Sequence, residues 1–368
     1  MNILYLTNHL NIGGISSYVL SLARGMKERG HSVYVASSGG ELVERFRAEG
    51  VSYLPIPINT KSEANIIKIL SSLRRSLSYI KEKDIDILHS NTRVTSVLGS
   101  LLEYFSRKPH ISTCHGFFKK RLIRRIFPCW GRRVIAISEQ VKEHLVIDFG
   151  VKPKNIKVVH NGVEPSRFKD YDHNFKSDTK RNLGLGPGPV VGIVARLSEV
   201  KGHIYLIQAM KLVLEKIAQA QLLIVGDGKI KKELQALAQS LNIEQNVFFL
   251  PSVLDTSKIL PIMDLFVLPS LKEGLGLSLM EAMAAGLAVI GSDVGGIKSL
   301  IQDGKNGLLF EPANPLALSA AILKILNDPE RAMALGYAAR RLIRERFSLA
   351  EMVLETERLY LECLSANY

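Results

Sequence analysis

Apolar residues in this chain fall into short β-branched runs, separated by longer stretches in which they recur about once per helical turn. In the first half the runs occupy residues 2–7 (NILYLT), 31–36, 52–56, 85–89, 111–114, 134–137 and 156–159, each of strand length. Helical periodicity fills most of the gaps, at about 16–29 (ending before Gly30), 65–83 and 139–149. Such alternation predicts a largely parallel sheet with helices on both faces, because parallel neighbours need a crossover and a helix is the usual one.

The alternation then breaks. Residues 165–189 are polar and rich in glycine and proline, ending in Gly184, Gly186, Pro187, Gly188 and Pro189. A second series starts at Val190 (VVGIVA) and continues with strand-like runs at 221–225, 247–250, 264–268 and 288–290. Helices are expected around 202–218, 229–241, 278–285 and 315–327. The halves are not sequence repeats, but they repeat one architecture. The pattern predicts an α/β protein of two facing Rossmann-like domains with a cleft between them.

Composition narrows the class. The chain has 368 residues and is 46% hydrophobic, with a mean hydropathy of +0.11, long for one core and comfortable for two. No apolar run approaches the ~18–20 residues that cross a bilayer. The opening MNILYLTNHLNIGG lacks a basic region and a signal-cleavage pattern, so the chain reads as cytosolic. Cysteines 114, 129 and 363 show no paired spacing, which indicates neither a disulfide framework nor a zinc site.

Net charge is +13 and unevenly spread: residues 1–165 hold 25 Lys and Arg against 13 Asp and Glu, and residues 166–368 hold 23 against 22. The excess concentrates in KKRLIRRIFPCWGRR, where Lys119, Lys120, Arg121, Arg124 and Arg125 interleave with Leu122, Ile123, Ile126 and Phe127. A solvated helix face is the plain explanation of a charge run. No nucleic-acid motif accompanies it, so no nucleic-acid partner is expected. Basic residues mixed with apolar ones suit an anionic membrane surface or a lipid-linked anionic acceptor, and this is the favoured reading; it would put the protein at the inner face of the cell membrane.

The most informative segment is PSLKEGLGLSLMEAMAAG, residues 269–286. Glu273 and Glu281 flank the turn Gly274-Leu275-Gly276, which runs into a helix. Exposed amides at such a turn and the helix N-terminus behind it suit a phosphate, and carboxylates at its edges suit hydroxyls. Phosphate plus polyol describes a nucleotide sugar. The Glu spacing alone is weak, since Glu41 and Glu49 repeat it without a glycine turn. Glu281 also has a structural alternative, because Ser278-x-x-Glu281 reads as a capping box. Residues 264–268 (DLFVL) should form a buried strand that delivers Glu273 to its carboxyl end, where open α/β sheets place ligands. Arg196 closes the strand VVGIVAR, and Lys201-Gly202 follows it; these cations could hold a diphosphate or form surface ion pairs. Gly13-Gly14 follows the first strand without the GxGxxG fingerprint, against an NAD enzyme. His115-Gly116, His160-Asn161-Gly162-Val163-Glu164 and Gly226-Asp227-Gly228 each sit just past a strand.

In this order, over nearly the full chain, these motifs resemble family-4 retaining glycosyltransferases of the GT-B fold. The resemblance implies a domain of residues 1–165 that holds the acceptor, joined by a final helix at about 350–368 that crosses back to it, and a domain of residues 166–349 that holds the nucleotide sugar. It implies that Arg196 and Lys201 bind the donor diphosphate and stabilise it as it departs. Glu281 would bind the ribose hydroxyls, and Glu273 with the backbone of Gly274, Leu275, Gly276 and Leu277 would meet the transferred sugar. His115 and the Gly13-Gly14 loop would close over sugar and phosphate, and Val253 would lie near the base, with Gly226 at the same edge. The implied reaction moves a sugar from a UDP- or GDP-linked donor to a cell-envelope glycan or lipid-linked acceptor, with no cofactor and no metal. A nucleotide-sugar 2-epimerase of the same fold and a non-catalytic partner of a glycosylation complex are the alternatives. Two departures stand out: Pro251 replaces a glycine common after its strand, and Lys298 and Ser299 stand where relatives often place an acidic residue.

Overall fold

A computed structural model describes residues 1–60, 62–63, 65–120, 122–168 and 173–365. The chain forms two compact units, Met1–Gly162 with Leu349–Tyr368, and Val163–Ser348. The first contains strands β1 (Asn2–Leu6), β2 (Ser32–Ser37), β3 (Ser52–Pro55), β4 (Ile87–Ser90), β5 (His110–Cys114), β6 (Arg133–Ala136) and β7 (Ile156–Val158). The second contains β8 (Val190–Val194), β9 (Gln221–Val225), β10 (Val247–Leu250), β11 (Leu265–Leu268), β12 (Ala288–Ser292) and β13 (Leu308–Phe310). Every pairing is parallel. The sheet orders are β3-β2-β1-β4-β5-β6-β7 and β10-β9-β8-β11-β12-β13. In both, the order reverses beside the first strand of the unit, which leaves a crevice at the carboxyl ends of β1 and β4 in one sheet and of β8 and β11 in the other.

Strands covered on both faces are apolar along most of their length, and β9 and β11 are buried from end to end. One face of the first sheet packs Val19, Leu22 and Met26 of the helix Gly14–Glu28 with Met352, Val353 and Tyr360 of the last helix, Leu349–Ser365. Gly25 is required there, because a Cβ would stand 2.4 Å from Val353. The other face packs Ile69 and Leu73 of the helix Ile66–Glu82 with Leu98 and Leu102 of the helix Arg93–Ser106.

Several elements escape the hydrophobic pattern. The helix Arg93–Ser106 carries Gly99 at its centre, forced by His110, whose Nε2 would lie 2.3 Å from a Cβ. The helix Pro329–Arg346 has a narrow apolar face, and β13 has three residues. The expected break at 165–189 holds a helix, His173–Asn182, almost all of it polar. The expected helix 202–218 stops at Leu214.

Candidate active site

In the second unit, two loops meet at the carboxyl ends of β8 and β11. The Leu271 amide donates to the Val200 carbonyl at 2.8 Å. Gly202, at φ +69°, has no room for a side chain, since a Cβ would lie 1.9 Å from the Pro269 carbonyl oxygen. This close approach sets Lys201 beside Glu273, and its Nζ forms an ion pair with Glu273 Oε2. Ser270 Oγ donates to the same oxygen at 3.2 Å. A third loop, after β12, closes on the glycine turn: the Gly296 amide donates to the Glu273 carbonyl at 2.9 Å, and a Cβ on Gly296 would meet the Gly274 oxygen at 2.0 Å. Lys298, in the same loop, pairs with Asp293 at 3.1 Å.

The helix Leu277–Ala284 starts on Gly276, which is left-handed at φ +95°. The capping box suggested by Ser278 and Glu281 does not form. Gly276 takes the cap position, Ser278 falls inside the first turn, and no side chain caps the helix. Glu281 instead accepts a hydrogen bond from Thr256 Oγ1 at 3.1 Å. Burial pushes its carboxyl up to about 6, against the pull of Arg167 and the Thr256 hydroxyl.

Arg196 also emerges at the end of β8. It is exposed and its guanidinium has no ion-pair partner among the described residues. Its position follows from the next strand: Leu197 donates to the Asp227 carbonyl at 2.9 Å, and a Cβ on Gly226 would lie 2.1 Å from the Ala195 oxygen. Asp227 and Ser252 exchange hydrogen bonds of 3.1 and 2.7 Å, which sets half-buried Val253 just past this corner. The structure thus gathers Arg196, Lys201, Glu273, Gly274 to Leu277 and Gly226 on one edge of the second sheet. Glu281 lies one turn into the helix that opens there.

In the first unit, Gly13 and Gly14 begin the helix Gly14–Glu28 in the open, and a Cβ on either would touch nothing within 4 Å. His115 follows β5, edge-on to Tyr18 at 4.6 Å, with Nε2 3.3 Å from Asn91 Oδ1. Burial holds its imidazole down at about 3, so it is neutral at physiological pH. Beneath it runs a polar chain with no signal in the sequence. Tyr360 donates to Tyr5 at 3.3 Å and so accepts from His89 Nδ1 at 2.5 Å. His89 Nε2 then accepts from Thr113 at 2.7 Å, and Thr113 accepts from Tyr18 at 3.4 Å. Tyr360 lies 271 residues from His89, so only the fold could join them.

The basic segment is partly committed to internal pairs. Both Glu63 oxygens are used, one by Arg93 at 2.8 Å and one by Arg124, whose side chain is 12% exposed. Lys120 pairs with Asp148 at 2.6 Å. Lys119 and Arg125 are exposed, as are Leu122, Ile126 and Phe127; Arg121 lies outside the described residues. Among the described residues, no helix is long and apolar enough to cross a membrane.

Residues 175–342 match the family described as glycosyl transferases group 1, and residues 12–167 match glycosyltransferase family 4. An uncharacterized glycosyltransferase of Methanocaldococcus jannaschii is 27% identical over 368 residues, covering 95% of this chain and 94% of that protein. The UDP-Gal:alpha-D-GlcNAc-diphosphoundecaprenol alpha-1,3-galactosyltransferase of Escherichia coli is 28% identical over 316 residues, covering 81% of each. Among solved structures, Anabaena HepE in complex with UDP and glucose superposes with a TM-score of 0.88 at 22% identity, covering 98% of this chain and 100% of that one.

Proposed function

Because the chain belongs to the group 1/family 4 glycosyltransferases of the GT-B fold, we propose that it moves a sugar from a nucleotide diphosphate donor, UDP- or GDP-linked, to a glycan or lipid-linked acceptor with retention at the anomeric carbon. The supporting observation is the charge at the β8–β11 crevice. Arg196 is a cation with no internal ion-pair partner among the described residues, and it emerges on the edge that carries the Lys201–Glu273 pair and the amide end of the helix Leu277–Ala284. Breaking the bond between the anomeric carbon and the phosphate oxygen leaves negative charge on the diphosphate. Two cations and a set of helix amides, placed beforehand, stabilise that charge. In this reading they supply the charge that a divalent metal would otherwise bring. The acceptor oxygen bonds the anomeric carbon on the face the phosphate leaves, and the acceptor proton passes to the departing phosphate oxygen. Glu273, already fixed by Lys201 and Ser270, orients the sugar hydroxyls.

The UDP in the names of the Escherichia coli relative and the Anabaena structure makes UDP-sugars the first donors to screen, with GDP-sugars as the comparison. Arg196→Ala and Lys201→Ala should each cut transfer by about 100-fold or more. Unchanged transfer in both variants would sink the assignment.

The acceptor is proposed to be met at an anionic membrane surface. Exposed Lys119 and Arg125 beside exposed Leu122, Ile126 and Phe127 support this. Vesicles containing anionic lipid should retain the protein, and charge reversal at Lys119 and Arg125 should release it. Equal recovery of both proteins from the vesicles would leave the segment as an ordinary solvated face.

A further inference from the structure

Glu281 is held by a chain of contacts that begins far away in the sequence. The short 3-10 turn Pro165–Arg167 follows directly on the segment that leaves the first unit. It is anchored by Arg340, whose Nη2 donates to the Phe168 carbonyl at 3.0 Å. From it, Arg167 Nη2 reaches Asp255 Oδ1 at 3.2 Å. The same Asp255 oxygen accepts from the Ser257 amide at 3.1 Å and so caps the 3-10 turn Thr256–Lys258. That turn presents Thr256, buried, whose hydroxyl donates to Glu281 Oε2 at 3.1 Å.

We propose that Arg167 is a positioning residue of the donor site, which through Asp255 and Thr256 holds Glu281 as an ionised acceptor for the two hydroxyls of the donor ribose. The inference rests on the nucleoside-binding reading of Glu281 given above. An ionised carboxylate accepts at both oxygens, whereas its protonated form must donate from one of them. One oxygen is oriented by Thr256, and the charge state is contested. Burial opposes ionisation most strongly, Arg167 and the Thr256 hydroxyl favour it, and Asp255 opposes it. The other charges nearby are engaged elsewhere: Lys201 pairs with Glu273, and Arg340 is turned to the Phe168 carbonyl. Lys258, at the far end of its turn, is exposed.

The two ends of one ion pair therefore act on Glu281 with opposite signs. A carboxyl raised to about 6 is ionised above that pH, so nucleotide affinity should fall as pH drops through it. Arg167→Gln removes a favourable charge and should move this acid limb up by about 0.5–1 pH unit. Asp255→Asn removes an unfavourable charge, keeps an oxygen for Arg167 and Ser257, and should move the limb down. Arg167→Lys should restore most of the wild-type position. A purely structural loss would weaken binding at every pH and move neither limb.

The test titrates UDP and GDP into the full-length protein and its variants between pH 5 and 8 by calorimetry. In parallel, the Glu281 carboxyl is titrated by 13C NMR in glutamate-labelled protein and assigned by its loss in Glu281→Gln. Opposite displacements of the NMR titration in Arg167→Gln and Asp255→Asn, followed by the binding limb, support the proposal. Displacements of one sign, or none, overturn it even if Glu281 binds nucleotide. Unchanged nucleotide affinity in Glu281→Ala would overturn the nucleoside reading itself, and with it the positioning role, whatever the carboxyl titration shows.

Discussion

Lys201 and Arg196 carry the same charge at the same strand end, yet their removal should have different consequences. Arg196 is exposed and lacks an internal ion-pair partner among the described residues, so Arg196→Ala should leave stability within about 0.5 kcal/mol of wild type. Lys201→Ala leaves the Glu273 carboxylate, 13% exposed, without its cation. Stranding a buried charge costs several kcal/mol, and partial solvent contact here lowers the expected cost to about 1–2 kcal/mol. The double variant Lys201→Ala/Glu273→Gln removes the stranded charge and should recover that stability without recovering transfer. Urea unfolding beside turnover measurements separates the two effects. If the single and double variants unfold at the same midpoint, the pair has no structural weight. This difference between the two cations was not legible in the sequence, where both were simply basic residues after a strand. Their common location was legible, because VVGIVAR and DLFVL are apolar runs of strand length that end at them and at the glutamate loop.

Glycines divide in the same way at the scale of loops and elements. Gly202 and Gly296 are needed because two backbones pass within contact of their Cα atoms. Gly13 and Gly14 have open space around them, and the fold makes no demand for glycine there. Gly202→Ala should therefore push the β8 and β11 loops apart, break the Lys201–Glu273 pair and lower stability by about 1–3 kcal/mol, since φ +69° adds its own strain. Gly13→Ala should leave the unfolding midpoint unchanged. If it still impairs transfer, the space it fills is needed by a ligand; unimpaired transfer would overturn the ligand-binding role expected of Gly13. In the sequence Gly13, Gly14 and Gly202 were equivalent glycines following a strand. The strands and the order of motifs were readable because parallel strands buried on both faces are near-continuous apolar runs. The helices Arg93–Ser106 and His173–Asn182 were not, because one has a glycine at its centre and the other lacks an apolar stripe. The Thr256 contact to Glu281 was equally hidden. It depends on a 3-10 turn 25 residues from its partner, and the sequence offered a nearer, incorrect partner in Ser278.

For the whole molecule, the chain leaves its first unit at Gly162 and returns to it at Leu349. The Gly162 amide donates to Met352 Sδ at 3.1 Å, so departure and return are stitched together. The returning helix is structural in a strict sense: Met352, Val353, Leu359, Tyr360 and Cys363 are buried against the first sheet and its first helix. Burying side chains of this size contributes about 1.5–3 kcal/mol each, so the five together supply roughly 8–15 kcal/mol, comparable to the net stability of an entire domain. Its loss would also expose His89, whose Nδ1 has only Tyr360 as a hydrogen-bond partner among the described residues, and would loosen the chain that ends at Tyr18 and His115. A chain truncated after Ser348 should therefore keep a cooperative transition for residues 163–348 and lose it for the first unit, read by two-phase thermal unfolding of the full chain against a single phase in the truncated one. Adding the helix back as a separate peptide of residues 349–368 should restore the missing transition in proportion to peptide concentration, because it binds only the folded form. A truncated protein that retains both transitions without peptide would show that the first sheet holds its own core. The last helix would then serve only to bring the chain back.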